Sequence, residues 1–121
     1  MILVDTSVWV DHLRSVNTRL RQLLEGPWVV AHPFVIGELA LGNLRQRDTI
    51  LETMHDLPQT NVATDLEVLH FIHKEAIFGR GIGYVDAHLL ASIRLTPGTS
   101  LWTRDKRLHD VADQLGLVMA D

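Results

Sequence analysis

Short apolar runs alternate along the chain with longer segments in which apolar residues recur every three or four positions. Continuous apolar runs are typical of strands that are buried on both faces of a parallel sheet, and the longer spacing is typical of amphipathic helices. The runs predict five strands, at residues 2–4, 28–31, 60–63, 99–102 and 117–119. The spacing predicts helices after residue 5 and at residues 16–25, 33–44, 46–54, 65–77, 84–95 and 105–115.

The alternation of strands and helices indicates an α/β fold, which we expect to be a three-layer α/β/α domain with a five-stranded, mainly parallel sheet. No repeat or linker divides the sequence, so residues 1–121 are expected to form one domain. The apolar positions expected to face the core are Val8, Trp9 and Leu13 on the first helix, Leu66, Leu69, Ile72, Ala76 and Ile77 on the helix at 65–77, and the two other tryptophans, Trp28 and Trp102.

Composition excludes several classes of protein. The chain is 46% hydrophobic and 21% charged, which is ordinary for a soluble globular protein, and it has no cysteine for a disulfide or a thiolate metal site. No apolar run approaches the roughly 20 residues that span a bilayer. The amino terminus lacks the basic and apolar regions of a signal peptide. We therefore expect a cytoplasmic protein that does not bind membranes.

Four acids stand in unexpectedly apolar surroundings. Asp5 directly follows the first strand, and Asp105 lies between the fourth strand and the last helix. Glu38 has Phe34, Val35, Leu41 and Gly42 as its helical neighbours, and Asp86 has Leu89, Leu90 and Ile93. Because ligands of open α/β sheets bind beyond the carboxyl ends of the strands, Asp5 and Asp105 are well placed for a site.

Each acid also has a structural explanation. Asp5, Asp86 and Asp105 could cap or stabilise the amino terminus of a helix, and Glu38 could pair with Arg45. Thr103 could likewise cap a helix or contact a water in the site. The four acids together favour a metal site, because clustered carboxylates repel one another and a hard cation such as Mg²⁺ or Mn²⁺ removes that repulsion. Such a site predicts a metal-dependent phosphodiesterase.

Net charge does not exclude a nucleic-acid substrate. The formal charge is −4, from 15 acids against 11 Lys and Arg, so setting four acids aside for a metal site leaves a neutral remainder. Bound cations would themselves attract phosphate. Six basic residues near the acids in sequence are candidates for phosphate contacts: Arg45, Arg47, Arg80, Arg104, Lys106 and Arg107.

The order and context of the four acids resemble the PIN-domain family, and more narrowly the VapC-type toxins of toxin–antitoxin pairs. The resemblance lies in Met-Ile-Leu-Val-Asp5-Thr-Ser7, in Glu38 followed by Leu-Ala-Leu-Gly, in Asp86-Ala-His-Leu-Leu-Ala and in Thr103-Arg-Asp105-Lys-Arg-Leu. It covers essentially the whole chain. His88 departs from the pattern, because an apolar residue is more usual there, and it could alter packing or substrate contact.

The resemblance implies an endoribonuclease that depends on Mg²⁺ or Mn²⁺ and cleaves RNA. It implies Asp5 and Asp86 as the principal metal ligands, Glu38 and Asp105 as the other catalytic acids, and Ser7 and Thr103 as supporting hydroxyls. It also implies a homodimer that a cognate antitoxin protein holds inactive.

Other readings of the sequence remain open. A PIN-like module could bind RNA or a partner without catalysis. A phosphoryl-transfer domain of the receiver or haloacid-phosphatase type is disfavoured, because the position two residues after Asp5 holds Ser7 instead of a second acid. His70 and His73 have a spacing compatible with zinc, but no further ligand is obvious. Gly79, Gly81 and Gly83 resemble a flexible connection at the rim of a substrate groove more than a phosphate loop.

Overall fold

The structure, a computed structural model, describes residues 1–120. These residues form three strands and seven helices, in the order β1 (Ile2–Val4), α1 (Thr6–Arg14), α2 (Thr18–Glu25), β2 (Val29–Val30), α3 (Pro33–Ala40), α4 (Arg47–Asp56), α5 (Asp65–Lys74), α6 (Tyr84–Arg94), β3 (Ser100–Trp102) and α7 (Lys106–Gln114). Within this described part, no helix has the length and apolar character needed to cross a membrane.

The three strands form a parallel sheet in the order β2-β1-β3. Leu3 of β1 lies opposite Val30 of β2, and Val4 lies opposite Trp102 of β3. The chain leaves β1 toward one side to form β2 and later returns on the other side to form β3. The carboxyl end of β1 is therefore a topological switch point, where ligands of open α/β sheets bind.

The predicted α/β fold with a parallel sheet is confirmed, and the count of five strands is wrong. The fifth predicted strand contributes a single bridge, Val118 beside Leu101, and the third contributes none, since the bridge on that side joins Ala31 to Gln59, just before residues 60–63. The predicted strand at 60–63 does not form because hydroxyls of α6 and of the turn after it accept from its backbone amides. The amide of Asn61 donates to Thr96 Oγ1 at 3.1 Å, and the amide of Ala63 donates to Ser92 Oγ at 3.1 Å.

Helices cover both faces of the sheet. Leu3 and Val4 are both fully buried. Successive side chains of a strand point to opposite faces, so apolar groups must pack on each side of β1. This burial is what the three-layer arrangement requires.

Several predicted core positions are wrong. Leu66 and Leu69 of α5 are 80% and 56% exposed, and Leu13 and Trp28 are 36% and 54% exposed. Helix α5 carries two apolar stripes, and packing against α6 buries the other one, which contains Val68 and Phe71. The helical spacing of apolar residues fits either stripe of α5. Only the contact with α6 determines which stripe is buried.

Helix α5 also ends earlier than predicted, in a turn that puts an alanine in a glycine's conformation. The amide of Ile77 donates to the carbonyl of Ile72 and the amide of Ala76 to that of His73, both at 3.2 Å. This pattern places Ala76 in the left-handed region, with φ of 51°. The same pattern ends α7 with Gly116 at φ of 71°, where glycine meets no steric penalty.

We expect Ala76→Gly to stabilise the protein by about 0.5–1 kcal/mol, because it removes the left-handed penalty of a residue with a Cβ. The measurement is the free energy of unfolding in urea. Gly116→Ala is the matched control and should destabilise, since it creates the same strain in α7. A loss of stability in Ala76→Gly would contradict this account of the turn.

Candidate active site

The carboxylate of Asp5 lies at the switch point and is held by two hydroxyls. Its backbone amide donates to the carbonyl of Trp102 at 2.9 Å, which ties the ends of β1 and β3 together. Ser7 Oγ and Thr103 Oγ1 each donate to Asp5 Oδ2 at 2.8 Å. Asp5 occupies the N-cap position of α1, yet its side chain makes no capping hydrogen bond. Capping therefore does not explain this acid.

The two hydroxyls are themselves fixed by the segment after β3. The amide of Asp105 donates to Thr103 Oγ1 at 3.0 Å, and the amide of Arg104 donates to Ser7 Oγ at 3.1 Å. Thr103 and Asp5 are each 7% exposed, so these bonds are largely shielded from water. Each hydroxyl accepts from a backbone amide and donates its proton to Asp5, which fixes the orientation of the carboxylate.

Glu38 is held by Thr6, at the start of α1. Thr6 Oγ1 donates to Glu38 Oε1 at 2.6 Å, joining α1 to α3. Glu38 is exposed and does not lie in the apolar setting expected from its neighbours, because Leu41 is itself 91% exposed. No ion pair between Glu38 and Arg45 forms among the described residues. Nothing in the sequence pattern singles out Thr6 for this contact.

The ionisation of Asp86 is affected by its burial and by the charges of the three other acids. Burial raises the pKa of the Asp86 carboxyl, and the charges of Asp5, Asp105 and Glu38 raise it further. A long hydrogen bond of 3.4 Å from the Gly83 amide to Asp86 Oδ2 acts in the opposite direction. The charges of the three other predicted acids thus reach Asp86 and disfavour its ionised form.

Asp105 has a structural role as well as a place in this group. Its Oδ1 accepts from the amide of Leu108 at 3.0 Å and so caps α7. The capping explanation is correct for this acid. Its second carboxylate oxygen is not used by the cap.

The donor chemistry of the group fits a hard divalent cation. All its donors are carboxylate and hydroxyl oxygens, which Mg²⁺ and Mn²⁺ prefer, and a cation would offset the burial and the repulsion by other acids that raise the pKa of Asp86. Within residues 1–120, no three acidic or histidine side chains are already close enough to hold one metal ion. The acids therefore supply the type of ligand that such an ion prefers, but the described side chains are not already arranged around one ion position.

Comparison with known proteins settles the family. A family model described as PIN domain matches residues 2–114. The chain belongs to the PIN domain family. The resemblance seen in the sequence is confirmed by two relatives described as Ribonuclease VapC32, from Mycobacterium tuberculosis strains CDC 1551 / Oshkosh and ATCC 25618 / H37Rv. Each is 48% identical to this chain over 121 residues, which is 100% of this chain and 98% of the relative.

A solved structure also resembles this PIN domain. It is described as "Structure of FitAB bound to IR36 DNA fragment" and superposes with a TM-score of 0.62, over 93% of this chain and 91% of its own. Its sequence identity of 21% is low, so the likeness supports the fold alone.

Several of the basic residues predicted to contact phosphate already have other partners in the PIN domain. Arg104 Nε lies 2.6 Å from Asp11 Oδ2, and Arg80 donates to Gln114 Oε1 at 2.6 Å. Arg47 donates twice to the carbonyl of Ala40 and so closes the end of α3. These three would have to give up contacts in order to bind a substrate phosphate.

Two buried histidines, His32 and His88, pack against the ring of Phe34. His32 is fully buried, accepts from the amide of Phe34 and lies 3.0 Å from Ser92 Oγ through Nε2. His88 is 2% exposed, and its ring centroid lies 4.3 Å from that of Phe34. Its Nδ1 has no hydrogen-bond partner among the described residues. Sequence reasoning missed His32, although its position before Pro33 was a signal for a helix N-cap.

Proposed function

We propose that this PIN domain is a VapC-type ribonuclease toxin that hydrolyses phosphodiester bonds within RNA. The observation that carries the proposal is Asp5, held by two hydroxyls at the switch point of the sheet, together with the charges of Asp5, Asp105 and Glu38 that act on Asp86. The full-length identity of 48% to proteins described as Ribonuclease VapC32 supports the choice of RNA.

We propose Asp5 and Asp86 as the principal ligands of Mg²⁺ or Mn²⁺, with Glu38 and Asp105 completing the site or positioning water. The chemistry that such an ion supplies when bound is stabilisation of negative charge on phosphate and activation of water. Ser7 and Thr103 orient Asp5 by donating to its Oδ2, and Asp5 Oδ1, which accepts neither bond, would be the oxygen that holds a cation. Thr6 does the same for Glu38 through a single hydrogen bond.

The function is tested by incubating the purified protein with RNA in the presence of Mn²⁺ and mapping the new RNA ends. Internal cuts at defined positions support an endoribonuclease. Trimming from the ends alone, or RNA left intact under all conditions, would contradict the proposal.

A non-catalytic PIN-like module is the second candidate, and one observation favours it. No ready group of three metal-binding side chains exists among residues 1–120. Such a module would bind RNA without new ends appearing. The end-mapping experiment therefore separates the two functions.

Metal binding makes a prediction about stability. At neutral pH the raised pKa of Asp86 means that its ionised form disfavours folding, and this penalty disappears as the pH falls below the ordinary value of 3.8. We expect Mn²⁺ at a hundredfold excess over its dissociation constant to stabilise the wild-type protein by about 2.7 kcal/mol, measured by thermal unfolding.

The variant Asp86→Asn is the control for this measurement. It should unfold at a higher temperature than wild type without cation, because it removes the disfavoured charge, and it should gain less from Mn²⁺. Equal gains in both proteins would remove Asp86 from the metal site.

The partners also belong to the proposal. We propose that the protein acts in the cytoplasm as a homodimer and that a cognate antitoxin protein inhibits it. Co-expression with this antitoxin should yield a stable complex that no longer cuts RNA.

A further inference from the structure

A small apolar cavity lies beside the acidic group, at the start of α6. Its volume is about 230 Å³. Its walls come from the end of α5, the glycine-rich loop and the first turn of α6: Ile72, Ile77, Phe78, Gly79, Ile82, Gly83, Tyr84 and Ala87. We call it the α6 pocket. Its volume is below the roughly 300–1,000 Å³ that holds a drug-sized ligand, so it suits one flat ring system.

Two aromatic side chains of the pocket face solvent. Phe78 is 67% exposed and Tyr84 is 46% exposed. The Tyr84 ring is held in place, because its hydroxyl donates to Asp65 Oδ1 at 3.0 Å and the ring packs edge-on against His88 at 5.9 Å. An exposed aromatic ring that is fixed in this way loses little entropy when another ring stacks on it.

The pocket adjoins Asp86, one of the four acids. Gly83 in its wall donates its amide to Asp86 Oδ2, and Ala87 in its wall directly follows Asp86. A Cβ built on Gly79 or on Gly83 would meet no atom within 4 Å, so the rim of the pocket is open on both sides. A nucleotide beside a phosphate held at Asp86 would lie next to this opening.

We propose that the α6 pocket binds one unpaired nucleobase of the RNA, next to the phosphodiester bond at the acids. The inference rests on the proposed ribonuclease function and adds a specificity element to it. Proteins recognise single-stranded RNA by splaying bases out and stacking them on aromatic side chains. The isoleucines form an apolar floor, and Phe78 and Tyr84 offer the stacking surfaces.

The test measures the affinity for a short single-stranded RNA with a non-cleavable linkage at the mapped cleavage site, by fluorescence anisotropy with Mn²⁺ present. We expect Tyr84→Leu and Phe78→Ala each to weaken binding about 5- to 100-fold, the usual loss for one base stack. Tyr84→Phe should bind nearly as well as wild type, because it keeps the ring. Trp28→Leu is the matched control, since Trp28 is an exposed aromatic at the opposite end of the sheet.

An RNA with one abasic nucleotide beside the cleavage site identifies the base. If the base occupies the pocket, its removal should weaken binding to the wild type but have little further effect on Tyr84→Leu. Losses that simply add would overturn the proposal. Unchanged RNA affinity in both pocket variants would also overturn it. If sedimentation then shows that these variants have lost a dimer, the pocket is a contact between two protein chains instead.

This failure is distinct from failure of the ribonuclease proposal. If wild type cuts RNA and the pocket variants bind it equally well, the base pocket is wrong and the ribonuclease stands. If wild type does not cut RNA, the ribonuclease proposal falls, and the base pocket falls with it.

Discussion

Replacing Asp5 with Asn should reduce the rate of RNA cleavage by about 10²–10³-fold or more while leaving the fold intact. The loss follows because the variant lacks a carboxylate that we propose as a principal metal ligand, and a ligand of this kind supplies several kcal/mol of transition-state stabilisation. The fold should persist because an amide oxygen can still accept the hydrogen bonds that Ser7 and Thr103 donate at 2.8 Å.

The rate is measured on RNA with a labelled end, and the stability by urea unfolding of the same preparation. Asp48→Asn is the matched control, since the Asp48 side chain is 99% exposed and lies in α4. It makes the same chemical change and should leave the rate unaltered. Asp5→Asn protein that cuts RNA as fast as wild type, with the activity following the protein through purification, would refute the proposed role of Asp5.

The parts of the site that sequence could predict are those fixed by local structure. Asp5 directly follows β1, and Thr103 directly follows β3. Their positions at the carboxyl end of a parallel sheet are therefore set by the strand pattern itself. Ser7 is two residues from Asp5, and the contact between them is also local. The family resemblance supplied the role of these hydroxyls, and the contacts with Asp5 are consistent with it.

The parts that could not be predicted depend on how helices pack. Glu38 is exposed and bonded to Thr6, a residue 32 positions away, and no periodicity links the two. The buried stripe of α5 is selected by contact with α6, although its other stripe is equally apolar in sequence. The third predicted strand is lost because Ser92 and Thr96 bind its amides. In each case, a tertiary contact decided between local options.

His32 links the stability of the fold to the position of Glu38, because it caps the helix that carries this acid. The Phe34 amide donates to its Nδ1 at 3.0 Å, so Nδ1 must be unprotonated and Nε2 carries the hydrogen that faces Ser92. The pKa of His32 is lowered from 6.5 to about 4. Burial is the larger cause, and the neighbouring His88 is the smaller one. Protonation of Nδ1 would break the cap and bury a charge.

We therefore predict that the protein loses about 3 kcal/mol of unfolding free energy as the pH falls from 6.5 to 4, because of His32 alone. The sign follows from the lowered pKa, because in this range the unfolded chain takes up a proton that the folded chain does not. The contribution of His32 to stability is therefore fully present above its ordinary pKa, and it is lost as the pH falls toward its folded-state pKa. Stability is measured by urea unfolding at a series of pH values, mainly above pH 5, where ordinary carboxyls stay ionised.

The variant His32→Gln tests the assignment, since glutamine can accept from the Phe34 amide and cannot titrate. It should start from a lower stability and lose less of it between pH 6.5 and 5, whereas His55→Gln, a change at an exposed histidine, should keep the wild-type slope. If His32→Gln does not fold, the imidazole signals of the wild-type protein decide by NMR. A His32 ring that takes up its proton near pH 6.5 in the folded state would contradict the prediction, because its buried cap would then tolerate the charge.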